Sequence, residues 1–301
     1  METEERGEGF AVQAAVQEQP VGVPADQYAR VDGEDGRVGW LGYFASRRLE
    51  DADCGRLLVV IHGAMRDADR YFAHAATAAR ETGSDALVVA PQFLADVDTW
   101  ARTAGPGLVL FWDVESWKGG EPALRPAPVS SFAALDALLE SQRPASVVIF
   151  GNSAGGQFVH RYAAVGRAPD RLGVPVRFVV ANPSTYLYFG TDRWRYGFDS
   201  PPPYVTSTAE ESLRRYLSRD VTVVLGTEDR DPASLLLEVH PAAMAQGANR
   251  LERGRNFHAY ARERAAKREL AFGHRLVELA GTGHAAEDVL AAPQTRAILF
   301  G

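Results

Sequence analysis

Four short, uninterrupted apolar runs limit what this chain can fold into: Leu57–Ile61 (LLVVI), Ala86–Ala90 (ALVVA), Ser146–Phe150 (SVVIF) and Val221–Leu225 (VTVVL). Val176–Ala181 (VRFVVA) is a fifth, slightly interrupted, and His274–Leu279 (HRLVEL) is a sixth that alternates. A strand with one wet face alternates apolar and polar residues. Continuous β-branched runs are what strands covered on both faces look like. Arg37–Ser46 (RVGWLGYFAS) adds an earlier edge or hairpin strand.

Helical patterns lie between the runs. Asp67–Glu81 is alanine-rich and opens on capping-type aspartates, and Ser130–Ser141 opens on serine with apolar residues near a 3.6 period. Gly156–Val165 follows a glycine-rich turn, Asn249–Leu270 is long and charged, and Ala285–Phe300 is interrupted at Pro293. Alternating strands and helices imply right-handed crossovers. The expected class is therefore α/β, a doubly wound, mostly parallel sheet flanked by helices. Residues 182–220 break the rhythm with a run of aromatics and prolines too long for an ordinary connection. They are expected to form a cap over the strand ends, with a short helix at Ala209–Ser218. Residues 1–25 are expected to be loosely ordered and 26–301 to form the main domain.

Composition narrows the function. The net charge of −7 leaves no basic excess to neutralise phosphates, so nucleic acid is not an expected partner. No apolar run reaches the length of a membrane helix. The single cysteine, Cys54, rules out an intramolecular disulfide, and no secretory leader is visible; both point to the cytoplasm.

Gly151-Asn152-Ser153-Ala154-Gly155 joins the run SVVIF to a helix. In G-x-S-x-G the serine occupies a strained strand-to-helix turn that lifts its oxygen above the sheet. The flanking glycines sit where a Cβ would crowd neighbouring backbone. The helix N-terminus then brings backbone N–H groups and partial positive charge beside a developing oxyanion. Ser153 is thus the candidate nucleophile. His62-Gly63-Ala64-Met65 follows LLVVI and suits the other half of an oxyanion hole, with Ala64 and Ala154 as donors and Met65 as the alternative to Ala64. His62 is expected to brace this loop, and Arg66 to be a solvated charge.

His284, in Gly281-Thr282-Gly283-His284, lies between the last strand and the last helix, the setting of a general base. The acid is expected at the end of VTVVL, where Glu228, Asp229 and Asp231 lie within four residues. Asp229 is the first choice and Asp231 the alternative. No metal site and no cofactor are implied.

His62-Gly63, the Ser153 elbow, Gly226-x-x-Asp229 and Gly283-His284 together resemble the α/β-hydrolase superfamily over about Gly39–Phe300. The stretch AMRDADRYF after His62-Gly63 is similar to depolymerase- and feruloyl-esterase-like members. The resemblance implies a serine hydrolase acting on an ester or related acyl bond through an acyl-enzyme. Peptidase, amidase, acyltransferase or cyclase chemistry uses the same residues, and a non-catalytic binding protein on this fold is the further alternative. Aromatic residues of the expected cap, Tyr186, Tyr188, Trp194 and Tyr196, would wall a substrate with an apolar part, small or oligomeric.

Overall fold

The computed structural model describes residues 23–33, 35–49, 55–98, 101 and 105–301. The expected loosely ordered segment therefore lies, up to residue 22, outside the described residues, as does Cys54. The strands are β1 Gln27–Asp32, β2 Val38–Ala45, β3 Arg56–Ile61, β4 Leu87–Gln92, β5 Leu94–Ala95, β6 Phe111–Trp112, β7 Ser146–Asn152, β8 Val176–Ala181, β9 Asp220–Gly226 and β10 His274–Leu279. The helices are α1 Ala68–Glu81, α2 Ser131–Glu140, α3 Ala154–Val165, α4 Ala168–Arg171, α5 Ala209–Ser218, α6 Pro241–Met244, α7 Arg250–Lys267, α8 Ala286–Ala291 and α9 Pro293–Phe300.

Eight strands make one sheet in the order β1-β2-β4-β3-β7-β8-β9-β10. β1 pairs antiparallel with β2, and β2 antiparallel with β4; every other pairing in this sheet is parallel. β5 and β6 form a separate small pair. The apolar runs are the central strands. Their continuity follows from the two-residue side-chain period. Leu57, Val59 and Ile61 enter the core on one face, Leu58 and Val60 the core on the other. α2, α3 and α7 supply residues to the first core, and α1, α8 and α9 to the second.

Local signals set several helix ends. Ser130 accepts the Phe132 N–H, Asn249 accepts from Glu252, and Thr208 with Glu211 forms a reciprocal capping box on α5. Asp67 makes no such side-chain bond at α1. Pro293 splits the last helical pattern in two. Ala292, the residue before it, is extended (ψ 131°), as the proline ring requires, and closes α8 while opening α9.

The segment after β8 packs down on the first core. Tyr186, Leu187, Trp194 and Tyr204 are all buried members of it. Gln246 bonds both the N–H and the carbonyl of Tyr186, His160 accepts the Leu187 N–H, and the Trp194 indole donates to the Gly119 carbonyl. Tyr204 and Tyr162 both donate to the buried Asp136.

Candidate active site

The parallel strands run side by side, so the loops that follow β3, β7, β9 and β10 meet at one end of the sheet. Four of the residue sets singled out from sequence sit in those loops. At the end of β7 the chain turns abruptly into α3. Ser153 holds the turn with φ 60° and ψ −121°, a conformation L-residues rarely adopt. Such strain costs about 1–3 kcal/mol and persists where packing over-determines it. Here the packing is backbone against backbone. A Cβ on Gly151 would lie 2.2 Å from the Gly155 carbonyl oxygen, and one on Gly155 2.2 Å from that of Ile61. A Cβ on Gly156 would lie 2.5 Å from the Ala181 oxygen, so the third glycine of this turn is required as well.

Ser153 Oγ lies 2.9 Å from His284 Nε2, and His284 Nδ1 lies 2.6 Å from Asp229 Oδ2. A carboxylate can only accept, so Nδ1 carries the imidazole proton and Nε2 accepts from the serine hydroxyl. Asp229 is almost wholly buried, with its side chain 4% exposed. Asp231 is exposed and accepts the Ala233 N–H; Glu228 is exposed and pairs with Arg230. Of the three acids, only Asp229 is brought to His284.

The loops carrying these residues are tied to one another. Asn152 donates to the His284 carbonyl, Asn182 donates to Asn152, and Asn182 in turn accepts the Gly226 N–H at 2.9 Å. This amide chain crosses from the end of β7 to that of β9. The Glu228 N–H to Thr282 oxygen bond and the Gly281 N–H to Thr227 hydroxyl bond fasten the acid loop to the histidine loop.

The loop after β3 is fixed by two side chains. The Phe93 N–H donates to His62 Nε2, so His62 Nδ1–H donates to the Gly63 carbonyl, 2.8 Å away. Burial pushes the His62 pKa down to about 3, so the ring stays neutral. In a trans peptide the N–H points opposite the carbonyl. By holding the Gly63 oxygen, His62 therefore sets the direction of the Ala64 N–H. Arg66 acts on the next peptide, donating to the Ala64 oxygen at 2.9 Å, which sets the Met65 N–H.

Arg66 itself corrects the sequence expectation of a solvated charge. Its guanidinium is fully buried and grips Asp98 through two bonds of 2.7 and 3.0 Å. Asp98 also accepts the Ala95 N–H. Asp98→Ala would leave a buried cation without its carboxylate. It is expected to destabilise the fold by about 3–5 kcal/mol, read as a fall in the urea midpoint; a loss below about 1 kcal/mol would contradict this role for the pair.

Above Ser153 is a small hollow lined by Ala64, Lys118, Ala154, Gln157, Ser184, Leu236 and Glu238. Ala64 and Ala154 thus line the hollow together with Ser153, and Met65 is not among the lining residues. Lys118 is nearly buried and pairs with Glu115 at 2.8 Å. Gln157 is held by the Thr185 hydroxyl, and that hydroxyl also accepts from the buried Arg161.

The four aromatic residues expected to wall the substrate are not in this lining. Tyr186 is fully buried, stacked on Phe257 with ring centroids 4.7 Å apart. Tyr188 packs edge-on against the same ring and at a tilt against Tyr260. Trp194 meets Phe198, and Tyr196 stacks on His240. Burial raises the phenol pKa of Tyr188 and of Tyr196 to about 12.

Sequence reasoning passed over the residues that surround the acid and the hollow. Leu236 and Glu238 come from the loop after β9, and Lys118 from the connection before α2. Arg250, at the start of α7, reaches the second oxygen of Asp229 at 3.2 Å. Nothing in their local pattern marks them, because the fold and not the neighbouring sequence gathers them around the acid and the hollow.

No family model and no curated protein sequence matches the chain. Among solved structures it is similar to poly(aspartic acid) hydrolase-1 from Sphingomonas sp. KT-1, with 25% identity and a TM-score of 0.69. That match covers 92% of this chain and 99% of the other. It is also similar to LpqC, the poly(3-hydroxybutyrate) depolymerase of Bordetella parapertussis, with 23% identity, a TM-score of 0.66, and 93% and 95% of the two chains covered.

Proposed function

We propose, on the α/β-hydrolase fold that the chain shares with these structures, that it is a serine hydrolase that cleaves an ester bond through an acyl-enzyme. The observation that carries the reading is the hydrogen-bonded line from Ser153 through His284 to Asp229, set on a strained strand-to-helix turn. In the first half-reaction His284 Nε2 takes the hydroxyl proton as Ser153 Oγ attacks the carbonyl carbon. Asp229 holds the ring in the reactive tautomer and stabilises the imidazolium. The Ala64 and Ala154 N–H groups face the carbonyl oxygen as it becomes an oxyanion. His284 then protonates the leaving alcohol. In the second half-reaction it activates a water that hydrolyses the acyl-enzyme.

The substrate reading rests on shape and likeness. The hollow over Ser153 is mostly polar in lining and has room for little more than a water-sized group, which leaves no space for a long alkyl chain. Both similar structures are named for hydrolysis of a polymer. We therefore place an oligomeric or polymeric acyl substrate across the open face of the site, with its scissile carbonyl at Ser153 and only small groups beside it. An amide-cleaving version is the second reading, favoured by the likeness to a hydrolase of poly(aspartic acid), a polyamide. With one cysteine in 301 residues, a reducing compartment suits the protein.

A panel of p-nitrophenyl acetate, butyrate and octanoate beside the matching p-nitroanilides tests this. The ester reading predicts kcat/KM at least about tenfold higher for acetate or butyrate than for octanoate, the cost of about 1.4 kcal/mol of misfit, and anilides slower than esters. Octanoate as the best substrate would overturn the short-acyl reading. Anilides turned over as fast as esters would favour the amidase.

A further inference from the structure

The serine hydrolase mechanism leaves one buried charge unused. Arg250 opens α7 with its side chain fully buried. Its Nη1 donates to Asp229 Oδ1 at 3.2 Å and to the Ser234 hydroxyl at 2.9 Å, and its Nε donates to the Ser184 hydroxyl at 3.1 Å. Ser184 in turn donates to the Leu236 carbonyl, and both Ser184 and Leu236 line the hollow over Ser153. Asp229 thus has one carboxylate oxygen on His284 and the other on Arg250. The same guanidinium reaches the wall of the hollow through a hydroxyl.

We infer that Arg250 is a positioning residue for this site, one that aims the Asp229 carboxylate, tempers its charge as felt by His284, and couples the acid to the acyl-binding wall. A buried carboxylate held on one side only could rotate away from His284. The guanidinium fixes the other oxygen, so the oxygen facing His284 keeps its place. Its charge sits on the far side of the carboxylate from His284 and partly offsets the negative field that the ring meets. The charged and titratable groups around this carboxylate and its guanidinium partner are His284, and Tyr186 of the segment after β8, which face Asp229, and Arg253 of α7 and Asp231 of the acid's own loop, which face Arg250. Arg250 is the cation that touches the carboxylate. The inference rests on the serine hydrolase reading, and its test separates the two.

The experiment is the pH dependence of kcat/KM for p-nitrophenyl acetate in the full chain, with Arg250→Met, Arg250→Lys and the double variant Ser184→Ala/Ser234→Ala. Arg250→Met is expected to lower plateau kcat/KM by about 10²-fold through misplacement of the acid. It should also move the acid limb upward, because a cation has been removed from beside the carboxylate–imidazole pair. Arg250→Lys keeps the charge, so its limb stays near that of the wild type while its rate falls between the two. The double variant keeps every charge and removes the hydroxyls that aim the guanidinium; it is expected to lose about fivefold in kcat/KM. A limb that does not move in Arg250→Met, or that moves equally in Arg250→Lys, overturns the inference. If Arg250→Met does not fold, full activity in the double variant overturns it. Wild-type protein that resists a fluorophosphonate altogether would sink the hydrolase reading instead, whereas labelled wild type with unmoved limbs sinks only the role of Arg250.

Discussion

Ser153→Ala is expected to lower kcat for p-nitrophenyl acetate by about 10⁴- to 10⁶-fold, the span seen when a nucleophile is removed from a site whose oxyanion donors remain. Fold stability should barely change. Alanine keeps the Cβ, so it meets the same positive φ that serine already tolerates, and the three glycines that make room for the turn are untouched. Among the described residues, the side-chain bond lost is the one to His284, in a partly buried setting. A thermal unfolding midpoint within a few degrees of the wild type is therefore expected beside the loss of turnover. Activity retained above a tenth would mean that another group attacks the substrate.

Asp229→Asn is the second large effect, expected at about 10⁴-fold in kcat. The amide has nearly the shape of the carboxylate, so packing against Arg250 and His284 is preserved. The chemistry is not. An amide NH₂ turned toward His284 would donate, forcing the imidazole proton onto Nε2, where it can no longer accept from Ser153. An amide oxygen turned the same way would keep the tautomer but carry no charge to stabilise the imidazolium. Asp231→Asn is the matched comparison. Asp231 is exposed and caps a turn, so its variant should keep kcat within about twofold, as surface substitutions do. If the two variants exchanged behaviour, Asp231 and not Asp229 would be the acid.

The contrast between these two aspartates shows where sequence reading stops. The strands were legible because burial on both faces writes itself as continuous β-branched runs, and the Pro293 break was legible because proline constrains the residue before it. The Ser153 turn was legible for a similar reason: its glycines answer a local crowding of backbone that any chain must solve in the same way. The acid was not fixed, since all three candidates lie in one loop and only the direction of a side chain separates them.

Long-range pairing hid the rest. Arg66 reads as a surface charge because Asp98 lies 32 residues downstream on another connection. The aromatics between Tyr186 and Tyr204 read as a wall over the site because composition records that they are apolar, not which surface they cover. Their partners, Phe257, Phe132 and His160, come from three different helices, and that packing turns much of the segment into core. Short strands such as β5 and β6 carry too few residues for any period to show. The residues that line the hollow share no motif at all; Lys118, Ser184, Leu236 and Glu238 are gathered only by the fold.

Everything proposed for the site depends on Ser153 being a nucleophile activated by His284. Reaction with a fluorophosphonate, followed by peptide mapping, tests it most directly, because the reagent needs the attacking oxygen, the base and the oxyanion donors together but no particular substrate. One adduct per chain is expected, on Ser153, formed in step with loss of esterase activity and absent from both Ser153→Ala and heat-unfolded protein. An adduct on another residue, or folded protein that stays unlabelled, would contradict it.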